Sequence, residues 1–252
     1  MITKEIIIKK RDGTKLSAVL DAPEAIKYPI VIFCHGFGGN KEEWAPYIKE
    51  FLKNNIAVLR FDFSGHGTSG GKFEDLTLTR ELDDLLAVYD YVQNQLPGVA
   101  VTTLFGHSLG GTVAMYFSTV KKVSAIISVS APINFKEIPE SIFGKESKST
   151  WKEKGYVELD WYNNEKINYT FYEDIIKYDP KQILPTLNTP IMIIHGNKDD
   201  TVSVEDAKVI YSLVSGAKSL KIIRGANHIF DSQKELNEIL SSTIFWLARW
   251  LK

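Results

Sequence analysis

The run Gly106-His107-Ser108-Leu109-Gly110-Gly111 constrains this chain more than any other stretch. It follows an apolar, β-prone run at 101–105 and opens a helical pattern at 109–119, so a serine stands where a strand reverses into a helix within a few residues. Such a turn is sharp and strained. Side chains at its glycine positions would collide with the neighbouring strand and helix, and the serine Oγ is left standing above the end of the strand.

The rest of the chain supplies the strands and helices that such a turn joins. Short β-rich runs at 5–8, 16–20, 30–34, 57–61, 101–105, 123–129, 191–194 and 220–223 alternate with amphipathic stretches at 44–54, 79–95, 109–119, 204–213 and 235–251. That alternation predicts an α/β fold, a mainly parallel eight-stranded sheet with helices on both faces. The first two runs read as an antiparallel hairpin around Asp12-Gly13, and the later ones are apolar throughout, as central parallel strands are. One segment breaks the rhythm. Residues 132–185 are polar, charged and aromatic with no core strand, and a stretch of that length without core structure is usually a functional insertion. The expected organisation is a core of residues 1–131 and 186–252 carrying an inserted cap at 132–185.

Composition narrows the partners. Thirty basic residues against thirty-one acidic ones leave a formal net charge of -1, so no global field draws the chain to nucleic acid or an anionic membrane, and a small molecule is the expected partner. The first residues alternate charge with Ile6, Ile7 and Ile8 and lack a signal-peptide pattern. No apolar run reaches the roughly 18 to 20 residues that span a bilayer. The single cysteine, Cys34, lies in an apolar run and reads as a buried thiol. A cytoplasmic protein is expected; oligomeric state has no signature here.

A serine in that turn calls for a base and an acid. Of the five histidines, His35, His66, His107 and His195 each adjoin a glycine in a turn-like motif, whereas His228 lies late, on a loop after the strand at 220–223. Open α/β sheets gather their ligand-handling residues at such carboxyl ends. The strand at 191–194 delivers His195-Gly196-Asn197-Lys198-Asp199-Asp200-Thr201-Val202 to the same edge, where Asp199 is the expected acid and Asp200 its competitor, read as solvated or bound to the turn backbone. His35-Gly36-Phe37-Gly38-Gly39, after the strand at 30–34, reads as the loop offering the Phe37 backbone N–H to an oxyanion beside that of Leu109.

In this order, HGFGG, RFDFSGHGTSGG, GHSLGG, HGNKDDTV and GANH resemble the α/β-hydrolase superfamily over about residues 5 to 251. Within it the chain is similar to compact bacterial and archaeal cinnamoyl or feruloyl esterases, in which an insertion after the sixth core strand caps the site. The resemblance implies Ser108, Asp199 and His228 as the triad, the Phe37 and Leu109 amides as the oxyanion hole, and a structural role for residues 62–70. It implies a serine carboxylesterase for small to medium esters, aryl or hydroxycinnamate esters among them, with neither metal nor organic cofactor. A peptidase, thioesterase or monoacylglycerol lipase would use the same triad, and a non-catalytic ligand-binding homologue would keep the pocket. The aromatic richness of the insertion yields one further expectation. Trp151, Trp161, Tyr162, Tyr169, Phe171 and Tyr172 should line an acyl or aryl pocket beside Ser108.

Overall fold

The computed structural model describes residues 1–135, 143 and 148–251; the remaining positions of the expected insertion, 136–142 and 144–147, lie outside the described residues. In chain order the elements are β1 (Ile2–Lys9), β2 (Lys15–Ala22), β3 (Tyr28–Cys34), α1 (Ile48–Lys53), β4 (Ala57–Phe61), α2 (Leu78–Gln95), β5 (Val99–His107), α3 (Leu109–Val120) and β6 (Ala125–Val129). After the expected insertion point come α4 (Lys148–Lys154), β7 (Tyr156–Leu159), β8 (Glu165–Asn168), α5 (Thr170–Ile175), α6 (Pro180–Ile183), β9 (Ile191–Gly196), α7 (Val204–Leu213), β10 (Lys218–Ile223) and α8 (Gln233–Leu247).

Eight strands form one sheet in the order β1-β2-β4-β3-β5-β6-β9-β10. The β1–β2 and β2–β4 pairs are antiparallel and the others parallel. The hairpin expected around Asp12-Gly13 pairs Ile2 with Ala22 through Lys9 with Lys15. The central strands are mainly apolar because both faces are covered. Along β5, Leu104 joins the apolar cluster shared with α2, α3 and α7, while Phe105 joins the one shared with α1 and α8. Each such buried side chain contributes on the order of 1.5–3 kcal/mol relative to exposure. No helix among the described residues is long and apolar enough to cross a membrane.

Helix ends follow local chemistry. Thr77 caps α2 by accepting from Arg80 N–H, and Ser232 with Glu235 forms a capping box on α8, so both helices start just before the expected positions 79 and 235. The pattern at 44–54 divides into a 3₁₀ turn, Ala45–Tyr47 with Pro46 in it, and then α1.

Among the described residues, the segment between β6 and β9 contributes no strand to the main sheet. Instead β7 and β8 pair with each other, joined by a turn whose Asn163 and Asn164 sit at φ 52° and 55°, with Glu165 N–H donating to Tyr162 O at 2.9 Å. Paired left-handed residues make this a type I′ connection, which asparagine tolerates better than most residues. Trp151 is the centre of the packing here. It is 2% exposed, stacks on Phe143 with ring centroids 5.1 Å apart, meets Tyr169 edge-on, and donates its Nε1–H to Ile167 O. The Asp174 carboxylate at the end of α5 accepts from Thr79 N–H at 2.8 Å and Thr79 Oγ1 at 2.6 Å, fixing this segment to the start of α2.

Candidate active site

β3, β5, β9 and β10 all release their loops at the carboxyl edge of the sheet, and those loops converge. Ser108 terminates β5 and precedes the first residue of α3 with φ 52° and ψ −126°, a left-handed backbone that costs a non-glycine residue roughly 1–3 kcal/mol. The surroundings impose it. A Cβ on Gly106 would come within 2.2 Å of Gly110 O, and one on Gly110 within 2.3 Å of Cys34 O, so strand, elbow and helix pack closer than any side chain allows. A serine before a helix ordinarily caps it with its own oxygen. Here the Ser108 side chain makes no cap bond, and its Oγ lies 3.1 Å from His228 Nε2.

The opposite ring nitrogen, His228 Nδ1, is 2.8 Å from Asp199 Oδ2. Of the two adjacent aspartates it is therefore Asp199 that reaches the histidine. Its second oxygen, Oδ1, accepts the N–H groups of Thr201 and Val202, so the turn bonding expected of Asp200 belongs to Asp199 as well, while Asp200 contacts the Thr201 hydroxyl at 3.4 Å. Burial opposes ionisation of Asp199, but hydrogen bonds from His195 and His228 and the Val202 N–H hold its carboxyl far below the usual carboxylate range. His195 is fully buried, with Nε2 3.0 Å from Val202 O and 3.1 Å from Asp199 Oδ2, so it braces the aspartate from behind.

On the loop after β3, His35 is a structural bridge. Its Nδ1 bonds Gly36 O at 2.8 Å and its Nε2 accepts from Phe63 N–H at 3.0 Å. Residues 62–70 are likewise braced, with the Asp62 carboxylate taking the Lys41 backbone N–H, the Lys41 ammonium and the Thr68 N–H. Cys34 is buried, and burial pushes its thiol well up. Phe37 follows His35 and Gly36, and its ring packs against Phe73, Phe143, Trp161 and Phe171.

A cavity of about 500 Å³ opens over Ser108, with walls from Phe37, Trp44, Pro46, Tyr47, Ile229 and Leu236. Of the six rings expected to line a substrate pocket, Trp161 lines this one. Trp151 is enclosed by Phe143, Tyr169 and Tyr172 and has no face to offer a substrate. Phe171 is buried against Phe37, Tyr162 packs on Phe73 at 4.8 Å, and Tyr169 and Tyr172 meet at a tilt, centroids 5.7 Å apart. For these rings the demand for buried apolar surface is met within the segment and on Phe37 and Phe73. Sequence reasoning missed the walls supplied by Trp44, Tyr47, Ile229 and Leu236, which lie outside any motif, and it set aside His107, whose neighbour Ser108 was the available signal.

A part-buried Ser–His–Asp chain of hydrogen bonds at the carboxyl edge of a mostly parallel eight-stranded sheet defines a class of hydrolase scaffold. The chain belongs to the α/β-hydrolase fold family, whose pattern matches residues 29–156. Est1E from Butyrivibrio proteoclasticus with ferulic acid bound superimposes with a TM-score of 0.84 at 28% identity, over 96% of this chain and 99% of that one. A monoglyceride lipase homolog of Monkeypox virus is 26% identical over 90% of this chain and 91% of its own length. The mitochondrial palmitoyl-protein thioesterase of Homo sapiens is 30% identical over 70% of this chain and 58% of its own.

Proposed function

We propose that this protein is a serine carboxylesterase that forms an acyl-enzyme on Ser108. The observation that carries the reading is the relay from Asp199 Oδ2 through His228 to Ser108 Oγ, 2.8 and 3.1 Å, opening into the cavity. His228 Nε2 takes the proton from Ser108 Oγ as the oxygen attacks the ester carbonyl carbon, and Asp199, ionised, holds the imidazole in the required tautomer. Leu109 is the first residue of α3, and the first N–H groups of a helix have no partner within it, so its amide is available to the developing oxyanion; the Phe37 amide is the second donor. His228 then protonates the leaving oxygen, and water attacks the acyl-enzyme by the same route in reverse. Because the leaving oxygen must face His228, the cavity beside His228, Thr201 and Ile229 suits the alcohol.

The substrate class is a small to medium ester with a ring or short chain, supported by the aromatic walls Trp44, Tyr47 and Trp161 and by the likeness to Est1E holding ferulic acid. In this reading the segment at 132–185 is a cap seated on Phe37. The names of the lipase and thioesterase relatives favour a second reading, a monoacylglycerol lipase or thioesterase with the same nucleophile. A panel of acetate, aryl and hydroxycinnamate esters beside monoacylglycerols, acyl thioesters and peptides separates these. The carboxylesterase reading expects the highest kcat/KM on aryl or hydroxycinnamate esters; a thioester or monoacylglycerol preferred by about 100-fold, roughly 2.7 kcal/mol, would displace it.

A further inference from the structure

Next to the serine, but outside the Ser–His–Asp relay, a second acid–imidazole pair lies on the cavity wall, its imidazole buried and its carboxylate part-buried. One oxygen of Glu43 bonds His107 Nδ1. The other accepts the Gly36 N–H at 3.3 Å and occupies the space a Cβ on Gly39 would need, 2.8 Å away. His107 is 6% exposed, and its Nε2 bonds the backbone carbonyl of His228 at 3.0 Å, with the two imidazole rings 5.1 Å apart. Two side chains thus join three loops: the one with the oxyanion amide of Phe37, the elbow with Ser108, and the one with His228.

The protonation logic fits those contacts. Burial works against charge on both members, yet their mutual attraction wins, holding Glu43 below the usual carboxylate range and raising His107. A protonated His107 has two N–H donors and uses both, one on Glu43 and one on the His228 carbonyl. A neutral imidazole has one donor and would turn a lone pair toward either the carboxylate or the carbonyl.

We propose that Glu43 and His107 act as one positioning pair, holding the Gly36–Phe37 peptide and the His228 main chain in register with Ser108. The inference rests on Ser108 being the nucleophile. Neither side chain exchanges a proton with substrate; both act through the groups they hold. A small displacement of His228 or of the Phe37 amide weakens the transition state more than the bound ester, since the oxyanion and the transferred proton exist only there. The pair therefore acts on kcat. Glu43→Ala frees the Gly36 peptide and leaves His107 with one partner; His107→Ala frees the His228 carbonyl.

The test is steady-state hydrolysis of p-nitrophenyl acetate, with the rate of Ser108 phosphonylation by a fluorophosphonate and a melting curve for each variant. Glu43→Ala and His107→Ala should each lower kcat by about 10- to 100-fold and slow phosphonylation in proportion, with KM within about threefold. The double variant should be no worse than the weaker single, because the two residues act as a unit. Glu43→Gln should restore most of kcat: its amide oxygen takes the Gly36 N–H and its N–H donates to a neutral His107, which keeps Nε2–H on the His228 carbonyl. Glu43→Asp, one methylene shorter, cannot span both contacts and should lose about tenfold, which keeps the test in hand if Glu43→Ala does not fold. Folded alanine or aspartate variants with wild-type kcat and phosphonylation rates would overturn the proposal, as would losses that multiply in the double variant. A wild-type chain that is neither labelled at Ser108 nor hydrolyses any ester would instead overturn the esterase reading, and this one with it.

Discussion

Two regions meet at the Phe37 ring. On one side, the loops after β3, β5, β9 and β10 are shaped by backbone: a left-handed Ser108, glycines packed against carbonyl oxygens, and a carboxylate, Asp199, that caps a turn and orients a histidine with the same group. On the other, the segment from α4 to α5 is held by side chains, with Trp151 packed between Phe143 and Tyr169 and the Asn163-Asn164 turn closing a small hairpin. The first region tolerates almost no change of residue type at its fixed points. The second needs apolar volume, and many sequences provide that. Phe37 belongs to both, since it lines the cavity over Ser108 and its ring packs against Phe143, Trp161 and Phe171.

The contrast is broken most severely by Ser108→Ala, which should cut ester hydrolysis roughly 10⁴-fold or more while the melting temperature holds, as removal of a triad member does. A folded variant with near-wild-type turnover would contradict the nucleophile assignment. Close behind, Asp199→Asn should lose about 10³- to 10⁴-fold through the wrong histidine tautomer, whereas Asp200→Asn stays within a few-fold. Kinetics of the two variants side by side decide which carboxylate serves His228.

In the segment the ranking inverts from chemistry to stability. Trp151→Ala should destabilise the fold by about 3–5 kcal/mol, or unfold the segment locally, because it empties a filled site. Trp161, 48% exposed and on the cavity wall, should behave differently: Trp161→Ala is expected to raise KM for aryl esters a few-fold and leave acetate esters unchanged. Equal effects on both substrates would show that the ring does not meet the substrate.

A further expected effect is on acid stability, and it belongs to the core loops. Asp199 has a lowered carboxyl pKa in the fold, so its ionisation adds stability that is complete above about pH 4 and lost as pH falls below it. Burial pushes the His66 imidazole down to about 3, against about 6.5 when unfolded, so its contribution is present above that value and fades as pH drops toward 3. Denaturant unfolding at pH 7, 5 and 3 should show Asp199→Asn with a flatter decline than wild type between pH 5 and 3; parallel curves would count against the paired carboxylate.

What was legible in the sequence divides along the same line. Gly106, Gly110 and Ser108 announce the elbow because backbone geometry permits few residue types there, and apolar runs such as 191–194 announce strands covered on both faces. His228 and Asp199 could be placed on loops at strand ends, His228 largely by elimination among the five histidines and Asp199 as the fifth residue of the run that begins at His195. The roles of the aromatic residues could not, since a ring buried against Phe143 and a ring on a cavity wall satisfy the same demand for apolar contact, and composition does not tell Trp151 from Trp161. The type I′ turn at Asn163-Asn164 did leave a local signal, two residues that tolerate φ > 0. Glu43 left none, because its partner His107 is 64 positions away and only the folded loops bring the two together.

The most direct measurement of the central claim is covalent: incubate the intact protein with a fluorophosphonate, then locate the adduct by peptide mass spectrometry. One adduct per chain is expected, on Ser108, lost in Ser108→Ala and strongly slowed in a His228→Ala variant that still folds. An unlabelled wild-type protein, or a stoichiometric adduct on any other residue, would contradict it.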